Sequence, residues 1–407
     1  MEERKVCFAV GGGLETGVLG RGLARSGVCF RGGQWVMGAK KKGGGGGEGK
    51  KVRLSVKGFG KPAPKKGAGL GDLALSRDQD IDALYRWLKL GGASFGRVAV
   101  GEKGGRRGVF ALETINEGDV ICSIPKTLAI ALGEQDIDPT KPANLLLTMM
   151  QGDSQPPQFF KPMLDVLPKE PDNKNSLVFS EAELNSLEQP EVKAEFHRRE
   201  AQIDRSYEKF NFDALYSGDM ENPMGEGIQY SKDALRWGVF IIVSRALGVQ
   251  NQDRELVKLL IPFIDMINHS NKALNELKFK KDSYNVIAGA KIEAGEEVFI
   301  RYGDGNLTNS QLLLDYRFVE TDNANDKRGV LGGALSKLKP GKEAVLLSAV
   351  EARLSSLKAS PEEDEKILAN SESHTPKQVL CAQFRTEHRK AMESAAEELR
   401  RRAGLSA

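Results

Sequence analysis

The sequence predicts an α+β fold. Short β-branched runs broken by Gly or Pro flank a long helical stretch, and the chain closes on helices. Strands and helices therefore segregate along the chain instead of alternating. At 407 residues, with 40% hydrophobic and 28% charged side chains, the chain can bury a sizeable core. No internal repeat is visible.

Residues 1–70 hold 15 Lys and Arg against 4 Asp and Glu, a net of +11. The whole chain is only +3, so the remainder carries −8. The stretch from Lys40 to Gly47 is dense in Lys and Gly, which predicts a disordered segment. A basic, acid-poor leader suits a plastid transit peptide, although Glu2, Glu3 and the modest Ser content fit it poorly. Nucleic-acid contact through this tail and a plain solvated extension are the other readings.

The pattern firms at residue 78. Ile81, Leu84 and Leu88 share a helical face over 78–90, and Gly91-Gly92 ends it. Residues 97–100, 108–111 and 119–124 read as strands. From about 135 to 247 the pattern turns helical, most clearly over 231–247. There Leu235, Val239, Val243 and Leu247 repeat at i, i+4, with Gly248 placed to cap. Strand character returns after 256, and Val298, Ile300 and Tyr302 alternate with Phe299 and Arg301. Residues 331–407 read as helical, with Leu346, Val350, Leu354 and Leu357 on one face. A last helix opens with Thr375 as N-cap, Pro376 at N1 and Gln378 at N3.

No apolar run approaches the length needed to cross a bilayer, which predicts a soluble protein. Cys7, Cys29, Cys122 and Cys381 form no CxxC pair and no His lies at zinc spacing. That argues against a structural zinc site and suits a reducing compartment.

Six stretches carry chemistry together: 104–111 (GGRRGVFA), 115–125 (INEGDVICSIP), 237–245 ending in Ser-Arg, 261–270 (IPFIDMINHS), 295–302 (GEEVFIRY) and 309–318 ending in Tyr-Arg-Phe. In this order they resemble SET-domain protein methyltransferases, of the plant and algal Rubisco large-subunit lysine N-methyltransferase-like family. The resemblance covers about 78–330. It implies a SET domain of short sheets with a pseudoknot and a helical insert at about 135–247, then an abbreviated substrate-binding-like helical domain at 331–407. The segment 57–61 (KGFGK) resembles the mature starts of plastid proteins in this family.

The resemblance further implies S-adenosyl-L-methionine as cofactor, a protein substrate, no metal and a monomer. Tyr302 would be the catalytic residue beside the transferring methyl. Asn268 would hold the methionine moiety and His269 backbone groups the adenine. Arg106 and Arg107 would meet the cofactor through their backbone, and Tyr316 and Phe318 would wall the pocket. Arg245 would contact the cofactor carboxylate and the substrate, while also complementing its helix end. Asp265 would lie near the substrate ammonium; a turn-forming carboxylate is the equal alternative.

Methyl transfer to an amine needs a neutral nucleophile, a desolvated channel and aligned atoms, with no metal or covalent intermediate. Three departures from the family stand out. Arg317 replaces the usual Gly of Tyr-Gly-Phe, residues 272–281 contain no Tyr, and the C-terminal domain is short. The leading expectation is a protein-lysine N-methyltransferase acting on a plastid protein, Rubisco large subunit and fructose-bisphosphate aldolase being family substrates. Histidine methylation and a non-catalytic scaffold in a plastid complex stay open, as does a cytoplasmic location.

Overall fold

The computed structural model describes residues 4–5, 72–134, 138–151, 157–169, 178–216, 230–250, 256–303, 305–331 and 341–404. The disordered leader or transit peptide expected over 1–70 lies outside them, apart from β1 (Arg4–Lys5).

Among the described residues, three small antiparallel sheets and one parallel pair form the strand framework. The first sheet joins β2 (Ala74–Leu75), β3 (Val98–Lys103) and β4 (Arg106–Ala111). Gly104 and Gly105 turn β3 into β4 at φ of 58° and 72°, a region that a side chain would strain. The second orders β1, β10 (Glu276–Lys280), β11 (Ser283–Ile287) and β5 (Val120–Pro125). The third places β8 (Leu256–Leu260) between β6 (Ile130–Glu134) and β7 (Leu247–Gln250). The parallel pair is β9 (Asn268–His269) beside β12 (Phe299–Ile300).

Helices fill the insert and the C-terminal region, which gives the predicted α+β class. Helix α1 (Gln79–Leu90) buries Ile81, Leu84 and Leu88, as its periodicity implies, and Asp78 caps its start. The insert holds α2 (Thr140–Gln151), α3 (Pro157–Leu164), α4 (Glu181–Ser186), α5 (Pro190–Tyr216) and α6 (Lys232–Arg245). Then come α7 (Asn309–Tyr316), α8 (Ala324–Val330), α9 (Glu343–Ser355), α10 (Pro361–Ala369) and α11 (Pro376–Ala403). Among the described residues no helix is long and apolar enough to cross a membrane.

Three sequence expectations are corrected. Helix α6 ends at Arg245, not Leu247, and Gly248 does not cap it. Leu247 and Gly248 pair with Leu259 and Lys258 across β8, so long-range pairing overrides the local helical spacing. The buried face of α6 is also rotated, to Leu235, Trp237, Gly238, Ile241 and Ile242, while Val239 and Val243 are half-buried. Gly238 explains the rotation. It faces Ala143 and Leu147 of α2, where a Cβ would lie 3.3–3.4 Å from their side chains. The strand expected to run to Tyr302 stops at Ile300, leaving Tyr302 two residues past the ladder.

The C-terminal helices follow the sequence. Thr375 and Gln378 form the capping box, with Gln378 N–H to Thr375 Oγ1 at 3.2 Å and Thr375 N–H to Gln378 Oε1 at 2.8 Å. Leu347 and Val350 of α9 pack on Met392, Ala395 and Leu399 of α11, with Leu346, Leu354 and Leu357 at the margin. A separate cluster matters more for the site. Phe179 and Phe196 from the insert, Leu313 and Leu314 from α7 and Phe384 from α11 lock the end of α7 against both helical regions.

Candidate active site between two cavities

The strand pair β9–β12 brings two distant segments of the chain side by side, Asn268 against Phe299 and His269 against Ile300. Each side chain of the dipeptide then has a fixed task. Asn268 Nδ2 donates to the carbonyl of Arg107 at 2.8 Å and to Glu297 Oε1 at 2.7 Å. Both partners only accept, so the amide orientation is determined. Its two hydrogens are committed, and Oδ1 is left to receive a donor. The Glu297 carboxylate is nearly buried and also faces Arg106 Nη2 at 3.7 Å.

Gly108 makes this junction fit. A Cβ there would lie 2.3 Å from Glu297 Oε1 and 3.0 Å from Asn268 Nδ2. Gly108→Ala must displace a carboxylate that is hydrogen-bonded. The expected outcome is at least tenfold weaker binding of any ligand held by Asn268, with about 1–3 kcal/mol lost in stability. Calorimetric titration with S-adenosylmethionine, beside a denaturation curve, checks it.

The His269 imidazole is buried and accepts the backbone N–H of Tyr302 on Nδ1 at 2.9 Å. The neutral tautomer this bond selects carries its proton on Nε2, which points toward Glu320 Oε2 at 3.7 Å. His269 thereby replaces the strand ladder that Tyr302 lacks. The Tyr302 hydroxyl donates to the carbonyl of Ile267 at 2.8 Å, and its ring stands 4.8 Å from Tyr316 and 5.0 Å from His269. Burial pushes the phenol up to about 12 even though Arg245 works against the shift.

Arg245, the last residue of α6, turns its guanidinium onto Asp265. Nη1 meets the Asp265 carbonyl at 2.9 Å and Oδ2 at 3.4 Å. The Asp265 side chain is only 3% exposed. Burial raises its carboxyl above the ordinary range, and Arg245 partly opposes that rise.

Two cavities meet at these residues. The narrow one, about 180 Å³, is walled by Phe240, Met266, Tyr316 and Phe318, with Ser244, Arg245 and Asp265 as its polar groups. The wide one, about 1150 Å³, runs past Arg106, His269 and Phe318 to Lys377 at the start of α11. Arg107, Asn268, Tyr302 and Phe318 line both. Every site residue expected from the sequence borders one cavity or both. Arg106 joins with a largely exposed side chain, and Arg245 borders the narrow cavity.

Sequence reasoning missed Glu297, Ser244 and Phe240. Glu297 had a signal, a carboxylate beside buried Val298 in an apolar strand, where charge needs a partner. The other two had none. Arg317 was expected as a bulky cation beside the pocket. It does border the wide cavity, half-buried, with its guanidinium 4.9 Å from the Phe196 ring. Among the described residues no cluster of His, Cys, Asp or Glu is placed to hold a metal ion.

Comparison with known proteins agrees with this geometry. Residues 106–303 match the SET-domain family model. The ribulose-1,5-bisphosphate carboxylase/oxygenase large subunit N-methyltransferase, chloroplastic, of Nicotiana tabacum is 25% identical over 239 residues, 54% of this chain. That stretch spans 46% of the tobacco protein, less than half its length. The SET domain of LSMT bound to lysine and AdoHcy superposes with a TM-score of 0.58 at 17% identity, covering 80% of this chain and 91% of that one. Rubisco LSMT bound to AdoMet gives 0.57 at 18% identity, over 80% and 92%. At these identities the structural likeness speaks for the fold alone. The matched family segment runs from β4 to the residue after Tyr302, so this chain holds a segment similar to the SET domain.

Proposed function

We propose that this chain is an S-adenosylmethionine-dependent protein-lysine N-methyltransferase. One observation carries the reading: Tyr302 stands where a narrow cavity, walled by aromatic rings and holding a buried carboxylate, meets a wide one, and it lines both. The wide cavity has room for the cofactor, and the free Oδ1 of Asn268 suits a donor such as its ammonium group. Arg107 and Phe318 would complete the holding groups. When bound, the cofactor supplies a methyl group on a sulfonium, the electrophile of an in-line displacement.

The chain's own residues handle the amine. Asp265 attracts a lysine ammonium into the narrow cavity, which favours lysine over the less basic histidine. Desolvation there, beside the Arg245 cation, then favours the neutral amine. The Tyr302 hydroxyl has spent its proton on Ile267, so its oxygen accepts an N–H from the amine and aims the lone pair along the cavity axis. Tyr316 and Phe318 exclude water around that path.

The substrate amine sets the pH dependence, because the phenol near 12 does not titrate in the working range. Tyr302 stays protonated through pH 10, whereas a free lysine amine titrates at about 10.4. The rate should rise from pH 7 toward 10 as more amine is neutral. A descending limb below pH 10, in protein still fully folded, would contradict this assignment.

The plastid is the proposed location, supported by the composition of residues 1–70 and by the chloroplastic tobacco relative. The acceptor is proposed to be a plastid protein met by the chain as a monomer. Radiolabelled S-adenosylmethionine and a plastid extract test the function, with Tyr302→Phe as control. A labelled band dependent on Tyr302 supports it. Cofactor binding without any labelled product would point to a scaffold instead.

A further inference from the structure

Arg317 occupies a position that disfavours it twice. It caps α7 in the left-handed region, φ 62° and ψ 35°, where glycine is strain-free, and its cation is half-buried at the margin of the wide cavity, with Nε shut off from water. Burial pushes the guanidinium down to about 10, so it remains charged at neutral pH.

Its surroundings show what compensates. Nη1 donates to the Leu313 carbonyl at 3.0 Å, which also accepts the Arg317 backbone N–H at 3.3 Å, and to that of Leu314, so it adds to the bonding at the end of α7. The guanidinium carbon lies 4.9 Å from the Phe196 ring and 5.9 Å from those of Phe179 and Phe240. Arg199 of α5 binds the same end of α7, through Leu314 O at 3.0 Å and Asp315 Oδ1 at 2.7 Å.

Phe240 is the link to the site. One side of its ring faces Arg317 and its surface lines the narrow cavity, as do Tyr316 and Phe318, the neighbours of Arg317 in sequence. We propose that Arg317 is a positioning residue, a cationic pin that fixes the three aromatic walls of the narrow cavity from behind and so sets its fit to the amine. Its consequence for the amine rests on the methyltransferase reading above; the pinning itself does not.

The test places 4-fluorophenylalanine at position 240 and records its ¹⁹F line in the otherwise native chain, in Arg317→Gly and in Phe196→Leu. Each protein is then titrated with L-lysine in the presence of S-adenosylhomocysteine. Arg317→Gly relieves the backbone strain but removes the pin. Phe196→Leu leaves the end of α7 bonded and loosens the cation, so it serves if the glycine variant fails to fold. Both variants should shift and broaden the line, and Arg317→Gly should weaken lysine binding about tenfold. Folded variants that keep the native line and lysine affinity, with only a lower Tm, would overturn the proposal. A line that moves in the variants while the native chain ignores lysine would retain the pin and sink the amine-channel reading.

Discussion

Tyr302→Phe is expected to lower the methyl-transfer rate by about 10²–10³-fold while leaving S-adenosylmethionine affinity within about threefold. The phenol oxygen is the polar atom at the junction of the two cavities. Its proton is held by the Ile267 carbonyl at 2.8 Å, which turns its lone pairs toward the path of the amine. Removing it leaves the shape of the site intact, because the ring still packs on Tyr316 and His269. The backbone stays as well, since His269 Nδ1 holds the Tyr302 N–H and not the hydroxyl. Stability should fall by only about 1 kcal/mol for one lost hydrogen bond. The loss therefore belongs to kcat. Single-turnover assays with pre-bound cofactor measure it, and a variant retaining a third of the native rate would remove Tyr302 from the chemistry.

How far the sequence foretold this arrangement depends on the range of the interaction involved. Helix α1 and the start of α11 were legible because the Ile81, Leu84 and Leu88 spacing, Gly91 and the Thr375–Gln378 box are local signals. The end of α6 was not. Its last residues answer to β8, nearby in space but further along the chain, a pairing that periodicity does not register. The same limit applies to β9 and β12, two residues each, which have no strand signal of their own and pair only because the chain folds back.

The site was legible as a set of residues and not as a geometry. Asn268, His269, Tyr302, Arg245 and Asp265 were marked by their order in the chain. That His269 would act through its ring on the Tyr302 backbone, and that Asn268 would spend both hydrogens within the protein, follows only from the fold. Arg317 marks the same boundary. Its replacement of glycine stands out in the sequence, but the three rings that accommodate it come from segments 77 to 138 residues upstream.

The second large effect is expected at Asn268, and the choice of substitution decides its size. Asn268→Ala deletes the amide and leaves Glu297 and the Arg107 carbonyl without their donor, at a cost of about 1–3 kcal/mol. Asn268→Asp keeps the shape almost unchanged but should be worse. Both partners of the side chain are acceptors, at 2.7 and 2.8 Å, so exchanging the amide nitrogen for oxygen converts two attractive contacts into repulsive ones. One of those partners is the carboxylate of Glu297, only 12% exposed and poorly screened by water. We expect cofactor affinity to fall by about a hundredfold or more in Asn268→Asp, against about tenfold in Asn268→Ala. Acidification separates electrostatics from shape. Protonating either carboxyl restores a donor between the two, so the Asn268→Asp variant should regain part of its affinity between pH 7 and 5 while Asn268→Ala does not. Calorimetric titration with S-adenosylmethionine at the two pH values measures the difference. Equal losses in both variants at both pH values would mean that the side chain meets the cofactor without the orientation imposed by Glu297.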